Sequence, residues 1–547
     1  LTRINEPTDL FESDRLYKNN GNGTFTDISK QAGIINRSYG LSVTINDFNN
    51  DTYPDIYIGN DFVEPDIVYI NNKNGTFTDK INEYFRHTSM HTMGVDIADV
   101  NNDGYNDLVS LDMNAEDNYR RKTLMTTMTV DKQTLLQKFG YGRQFMRNNL
   151  QLNSGSNTIP YSEIGCLTGI SNTDWSWCCF IQDFDNDGKS DIFINNGYPR
   201  DVSNLDYVHF TMDSIIKSSG NSINLSADQL EQYLKRMGVT KVHDYMYKNM
   251  GNLQFEDVSM DWGLGMPNIS NGAAYGDLDG DGDLDLIVNN QSEPLGVFKN
   301  NATKIYSDNK YLQIEFIGNN KNKSGIGASA RFKIGDDIYY KELIPNRGYA
   351  SSVEQILHFG LGNVNEIPLL EIKWADGKVQ TMKNVKTNQK LKIDYNNAAV
   401  GKWIDFEKKI DRLVEENNQL GLNYYYRENE FSEFDREFLI PHKLSSLGPC
   451  IAVGDVNGDK LEDLYVGGAN SNIGTLYFQT AEGKFNAVSQ PGFQEDAMFE
   501  DVSALFFDAD NDHDLDLLVV SGGNEYFKDS PNYNSRIYFN DGKGNFK

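Results

Sequence analysis

Residues 277–285 read Asp277-Leu278-Asp279-Gly280-Asp281-Gly282-Asp283-Leu284-Asp285. Carboxylates at alternating positions around a glycine bend match the first half of a calcium loop, because Ca²⁺ takes about six to eight hard oxygen ligands in irregular geometry. With Asp277 as position one, side chains at positions one, three, five and nine are candidate ligands, and position seven, Asp283, offers a backbone carbonyl. Without a metal, such a loop crowds like charges within a few ångströms, at an electrostatic cost.

The pattern recurs five more times, and the six copies are called loops A to F in chain order, residues 277–285 being loop D. Loop A offers Asp47, Asn49, Asp51 and Asp55, with Tyr53 at position seven; loop B offers Asp99, Asn101, Asp103 and Asp107, with Tyr105. Loop C offers Asp183, Asp185, Asp187 and Asp191, with Lys189. Loop E offers Asp455, Asn457, Asp459 and Asp463, with Leu461; loop F offers Asp508, Asp510, Asp512 and Asp516, with Asp514. Asp and Asn are common turn formers, but turn chemistry alone does not keep four ligand positions in register six times. This is a repeat architecture.

An EF-hand needs a bidentate Glu at position twelve and a helix on each side. Position twelve holds Ile58, Ser110, Ile194, Val288, Val466 and Val519, none of them a carboxylate. The flanks read as strands: Ile192-Phe-Ile194 and Leu517-Leu-Val-Val520 follow loops, and Ser503-Ala-Leu-Phe-Phe507 precedes one. The position-nine carboxylate therefore has to close each site, and each loop joins two strands.

A second signature follows the loops, a hairpin of the form aromatic-x-Asn-x-Gly-x-Phe. It stands at residues 17–25, 69–77 and 247–255, with looser copies at 477–485 and 538–546. Asn-Gly between alternating apolar residues marks a hairpin, since both turn positions tolerate positive φ. One unit then holds about four strands, which is one blade of a β-propeller. The expected fold is all-β: propeller blades with calcium loops, an inserted β-rich domain and short helical insertions.

The first Asp of successive loops falls at 47, 99, 183, 277, 455 and 508, so the bare unit is near 52 residues and three units carry insertions. The blades are expected over 1–303 and 424–547, with helical insertions at 114–148 and 201–243. Helices are predicted over 122–139, 205–218 and 226–237, the last capped by Ser226. Residues 304–397 alternate like strands and form a domain of their own, and 398–423 reads as a helical linker. Hairpin 17–25 lacks its loop and the chain stops inside another hairpin at Lys547, so the natural protein is expected to continue both ways.

The net charge is −29 over 547 residues; six Ca²⁺ would add 12 and leave −17. That excess disfavours nucleic acid and anionic membranes as partners. No apolar run long enough to span a membrane is present, and the first residues hold no secretory signal. Four cysteines, Cys166, Cys178, Cys179 and Cys450, make no disulfide framework in a chain this long; adjacent Cys178 and Cys179 read as buried thiols. His87 and His91 are four apart but precede a strand, so they read as packed side chains, not a zinc pair. The sequons at Asn22, Asn74 and Asn301 lie in or beside hairpins, where turn chemistry explains them. No nucleophile elbow, His-Glu-x-x-His or phosphate loop occurs, and glycosidase carboxylates cannot be singled out among so many Asp.

The Asp-x-Asp-x-Asp-Gly-x-x-Asp units resemble the FG-GAP/VCBS repeats of integrin-α-like propellers. The inserted domain resembles ASPIC/UnbV, through Gly325-Ile-Gly327-Ala328, Arg347-Gly-Tyr349, His358-Phe-Gly-Leu-Gly362 and the strand ending in Trp374 before Asp376-Gly377. The combination is similar to the large cartilage-acidic-protein-like surface proteins of Bacteroidota. That resemblance implies a secreted or outer-membrane-anchored calcium protein, lipid-anchored through a segment outside this chain, and no particular reaction. Thr52, Lys460 and His513 replace the loop glycine, so calcium is least expected in loops A, E and F. Loop D, with Gly282, is expected among the tightest. Three functions stay open: a non-enzymatic calcium-stabilised scaffold for a surface protein partner in an outer-membrane uptake or secretion assembly, a glycan-binding or glycan-cleaving propeller, and a structural adhesin.

Overall fold

The computed structural model describes residues 13–62, 64–124, 129–156, 160–218, 226–403, 417–440 and 442–547. They fall into two compact units, residues 1–410 and 411–547.

The first unit holds four antiparallel blades in chain order. Blade A comprises Tyr39–Asn46, Asp55–Asp61, Ile67–Asn71 and Phe77–Asp79; blade B comprises Val95–Ala98, Asp107–Ser110, Asn149–Asn153 and Tyr161–Glu163. Blade C comprises Ser176–Gln182, Asp191–Asn196, Tyr245–Gly251 and Gln254–Asp257; blade D has three strands, Ser270–Gly276, Asp285–Asn290 and Gly296–Phe298. The second unit holds blade E (Ile451–Gly454, Asp463–Val466, Thr475–Gln479, Phe485–Val488) and three-stranded blade F (Asp501–Phe507, Asp516–Ser521, Arg536–Tyr538). In all six blades the calcium-type loop joins the first strand to the second.

In blades B and C the strand cores are apolar on both faces because each packs between two neighbours. In blade C, Cys179, Ile181, Ile192 and Ile194 point into a core shared with Val109 and Leu150 of blade B. The alternate residues Cys178, Phe180 and Phe193 point the other way, into a core shared with Ala273, Leu286 and Val288 of blade D. A continuous apolar run is what a strand buried on two faces requires. The cysteines are free thiols; Cys178, Cys179 and Cys450 are buried and Cys166 is exposed.

The inserted domain packs a three-stranded sheet (Leu357–Gly360, Tyr311–Ile317, Gln389–Asp394) and a four-stranded sheet (Asp337–Glu342, Ser329–Ile334, Glu366–Lys373, Val379–Lys386) around one core that includes Leu312, Phe332, Phe359, Ile372 and Trp374. Its segment 344–353 reaches the first strands of all four blades of its unit. Asn346 Nδ2 donates to the Val43 carbonyl (2.9 Å) and Gly348 N to that of Val95 (3.1 Å). Arg347 forms a two-pronged pair with buried Asp96 and reaches the Ile181 carbonyl (3.4 Å) and Tyr275 Oη (3.5 Å). Ser351 Oγ accepts from Ala273 N (3.0 Å). Gly348 sits at φ +66° with its missing Cβ aimed at Cys178 Sγ, so only glycine passes there.

The insertions differ from expectation in detail. The helix predicted over 122–139 is two helices, Asn118–Thr123 and Val130–Lys138, and Leu124 between them bridges to Asn204; residues 125–128 lie outside the described residues. Asp117 and Thr129, each in extended conformation, cap the two helices and set the break. Nor is 114–148 an appendage: Arg120 pairs with Asp174 and Asp201, and Arg143–Phe145 pairs in parallel with His87–Ser89. Leu205–Ser218 and Ala227–Arg236 are helical, Ser226 standing directly before the latter. Most of the expected linker helix falls on 404–416, outside the described residues; Asn417–Leu420 is helical. His87 pairs with Glu163 (3.2 Å) and His91 with Asp61 (2.9 Å), so the two rings serve different partners.

Candidate metal centres

The six loops share one conformation, held by their own carboxylates. The position-one carboxylate accepts the backbone N–H of position six in every loop, and that of position five in loops A, B, D, E and F. The position-five carboxylate accepts the N–H of position seven in all six. Position seven, chosen from the sequence for its carbonyl, is thus anchored through its amide.

Position nine does more than face a metal. In loop D, Asp285 accepts Leu278 N (3.0 Å) through one oxygen and Asn300 N, just past the third strand (2.8 Å), through the other. The same two bonds recur for Asp55, Asp107, Asp191, Asp463 and Asp516. The partners are Asn71, Asn153, Asn249 and Gln479 on third strands, and Asn300 and Asn540 two residues beyond theirs. The five asparagines also donate Nδ2 to the carbonyl of loop position eight. Asn249, Asn300 and Asn540 reach further, to the position-two carbonyl of the preceding loop, and tie blade to blade. The Asn of the aromatic-x-Asn hairpin therefore serves the loop as well as the turn; Oδ1 of Asn71, Asn153 and Asn249 accepts the N–H two residues on.

Backbone strain corrects one expectation. Position six takes positive φ whether it is glycine or not: +74° at Thr52, +73° at Lys460 and +75° at His513, beside +87°, +94° and +90° at Gly104, Gly188 and Gly282. Position four is left-handed as well, and it is always Asn or Gly (Asn50, Asn102, Asn186, Gly280, Gly458, Asn511). Two left-handed residues bend the chain so that N–H groups point inward at the first Asp. Glycine at position six does not decide where carboxylates converge. Among the described residues, three groups bring ligand oxygens within 4.8 Å of one another: Asp183/Asp185/Asp191, Asp277/Asp279/Asp285 and Asp508/Asp510/Asp516. Loop F has His513 at position six and still assembles its triad. Loops A, B and E carry Asn49, Asn101 and Asn457 at position three, where these three carry Asp. The triads use positions one, three and nine; Asp187, Asp281 and Asp512 at position five are not part of them.

The donor set fits a hard divalent cation. Asp183 Oδ1 and Asp281 Oδ2, at positions one and five, are buried oxygens without a hydrogen-bond partner. In loop C, Asp183, Asp185 and Asp191 are buried, and burial lifts Asp183 to about 8, with Asp185 and Asp187 pushing the same way. Burial and Asp103 lift Asp99 to about 8 in loop B, and burial lifts Asp55 to about 7 in loop A. Carboxylates so placed need a proton or a cation. Calcium at these loops would be held by positions one, three and nine, with position five alongside.

The inserted domain lies against the loops of its unit. Gln313 Nε2 donates to Asp277 Oδ2 (2.9 Å), His358 Nε2 meets Asn186 Oδ1 (2.7 Å), Gly362 N donates to the Asn186 carbonyl (2.9 Å) and Ile338 N to that of Asn102 (2.8 Å). A Cβ at Gly360 would strike the Asp183 carboxylate, and one at Gly282 the Tyr311 ring.

Repeated blades with Asp loops and an inserted β domain define the class. The profile described as FG-GAP-like repeat matches residues 8–58, 47–110 and 421–519, and that described as ASPIC and UnbV matches 318–400. The chain carries FG-GAP-like repeats and an ASPIC/UnbV domain. It is distantly homologous to cartilage acidic protein 1. Identity is 25% over 429 residues with the Xenopus tropicalis protein (76% of this chain, 54% of that one), and 23% over 381 residues with the mouse protein (68% and 47%). With the human protein it is 24% over 381 residues (68% and 46%). The chain spans about half the length of these curated relatives, all vertebrate, and they lend no support to a source in Bacteroidota. Two solved structures overlap weakly. One is an Agrocybe aegerita lectin specific for non-reducing terminal N-acetylglucosamine (15% identity, 53% of this chain and 75% of that one, TM-score 0.21). The other is the V. cholerae biofilm matrix protein Bap1 (10% identity, 98% and 90%, TM-score 0.18). Superpositions that slight define no shared fold.

Proposed function

We propose that the chain is a non-enzymatic, calcium-stabilised scaffold that works outside the cell and presents its ASPIC/UnbV domain and helical insertions to a protein partner. One observation carries this reading: six loops hold carboxylates in the same conformation, buried Asp183 Oδ1 in loop C lacks a hydrogen-bond partner, and the inserted domain rests on loops B, C and D. Loops of this kind in extracellular modules bind calcium at roughly 10⁻⁴–10⁻³ M, a level that resting cytosol does not reach. Among the described residues no helix is long and apolar enough to cross a membrane, so a place at a membrane surface would rest on an anchor or a partner. An outer-membrane assembly is the partner class the sequence resemblance implies. The test is calcium titration of the full chain by calorimetry, then capture from solubilised membranes in calcium and in chelator. Calcium-dependent recovery of a stable protein partner supports the scaffold; a chain that takes up no calcium at millimolar concentration refutes it.

One feature favours glycan binding as a second reading. Half-buried Trp175, Trp177 and Tyr198 lie nearly parallel, Tyr198 stacking on Trp175 at 4.0 Å, and Tyr349 packs on Trp177 at 4.9 Å. Asp174 beside them is held at φ +114° while Arg120 pairs with its carboxylate, and strained backbone gathers at functional sites. Aromatic faces bordered by charged groups suit sugar rings. A glycan array probed with wild type and Trp175→Ala tests it: a hit abolished by the substitution supports glycan binding, and a blank array opposes it.

A further inference from the structure

Loops C and D already hold a cation of the protein's own. Lys248 Nζ pairs with Asp185 and lies 3.3 Å from Asp187, so it bridges positions three and five of loop C. Lys299 Nζ does the same in loop D, pairing with Asp279 and standing 3.6 Å from Asp281. Both lysines occupy one structural position, the residue before the asparagine whose N–H bonds the position-nine carboxylate. That bond fixes the backbone, so the side chain one step back falls over positions three and five. The other blades fill the same position with Ile70, Leu152, Phe478 and Phe539, which carry no charge. Among the described residues, lysines elsewhere do not copy this arrangement. Lys73 reaches Asp51 of loop A (3.2 Å) from a hairpin turn, with half its side chain exposed, and Lys189, itself at position seven of loop C, lies 3.4 Å from Asp187.

An ammonium is a compact point charge with three donors, and a calcium ion seeks the same oxygens. The Asp185 side chain is 2% exposed and that of Lys248 19%, so the pair in loop C is shielded from water. Trp262 and Tyr306 lie 6.0 and 5.6 Å from the Lys248 ammonium and flank it. In loop D the pair is open, with Lys299 49% and Asp279 39% exposed.

We propose that Lys248 and Lys299 are tethered counter-cations of loops C and D. They hold these loops together without metal and compete with calcium for positions three and five. Calcium then binds C and D more weakly than it binds a loop of equal carboxylates lacking the lysine, of which loop F is the internal example. The ranking that carboxylate number and Gly282 imply for loop D is thereby reversed. The inference rests on the calcium reading of the loops and adds to it a division of labour: C and D keep their shape through loss of calcium, and F does not.

The test uses the full chain and Tb³⁺ luminescence, with Ca²⁺ displacing Tb³⁺. Trp262 is placed to sensitise an ion in loop C, and Tyr311, packed on Gly282, an ion in loop D. Removing a unit charge about 4 Å from a divalent ion, with water-like screening, should tighten binding roughly thirtyfold. Lys299→Met is the primary variant because its half-exposed site tolerates the change, and Lys248→Met is the buried counterpart. Each should lower the Ca²⁺ concentration for half-displacement about thirtyfold and lower the melting temperature in chelator; Lys299→Arg should stay near wild type. Calcium affinity unchanged or weakened by Lys299→Met overturns the proposal, as does a metal-free melt that rises. Tb³⁺ bound by neither loop D nor the lysine-free loop F would instead remove the calcium reading itself, so the two failures are told apart.

Discussion

Asp279 and Asp285 are both candidate ligands of loop D, yet replacing Asp285 should cost stability with or without calcium, and replacing Asp279 chiefly with it. Asp285 is buried and accepts two backbone N–H groups, from Leu278 at 3.0 Å and Asn300 at 2.8 Å. Hydrogen bonds to a charged group contribute about 1.5–3 kcal/mol each, and their loss strands two donors. Asp285→Ala should therefore cost about 3–6 kcal/mol even in chelator, beyond any metal term. The Asp279 carboxylate instead pairs with half-exposed Lys299, and such a pair contributes about 0–1 kcal/mol. Asp279→Ala should then cost at most about 1 kcal/mol in chelator, the share of the Lys299 pair. In calcium it should forfeit the binding contribution, about 1.4 kcal/mol at tenfold saturation. Thermal melts of wild type and both variants, in millimolar calcium and in chelator, read the difference on the transition of the first unit. Equal losses for Asp285→Ala and Asp279→Ala in chelator would refute the division into a structural and a purely liganding carboxylate.

Chelation of wild type should lower the melting temperature and open protease sites, since six sites at tenfold saturation sum to roughly 8 kcal/mol; a melt unmoved by chelator contradicts calcium at the loops. Arg347→Ala leaves Asp96 buried without its partner and should destabilise the first unit by about 3–5 kcal/mol, checked by calorimetry. Replacing Val130–Lys138, a helix without buried residues, by a Gly/Ser linker should leave the melt in place, whereas deleting 114–148 should lower it through loss of the Arg120 pairs and the Arg143–Phe145 strand. Burial raises Asp66 to about 7, against bonds from Tyr57, Asn60 and Thr92 that pull it down. The folded state therefore holds that proton more tightly than the unfolded chain, and the stability it adds at low pH is lost as pH rises from about 4 through about 7. Asp66→Asn should flatten that part of a melt-against-pH curve measured in chelator.

The loops, their number and their place between two strands were legible in the sequence, because ligand spacing and strand periodicity are local. So was the inserted domain, whose motifs stand in order along the chain. The left-handed positions were legible too, though from position four, where Asn and Gly recur, more than from position six. Tertiary structure decided the rest. Nothing within loops C and D foretells that a lysine 57 residues beyond Asp191, or 14 beyond Asp285, comes to rest on their carboxylates. The third strand of blade C carries Lys248, and Lys299 directly follows that of blade D, so strand pairing sets the meeting. Arg347 stands 251 residues from Asp96 and binds it only because one segment of the inserted domain runs across the first strands of four blades. The sequence determined what each repeat is, since that depends on neighbours a few residues away. Which repeats carry their own counter-charge follows from contacts between residues distant in sequence that only the packed blades bring together.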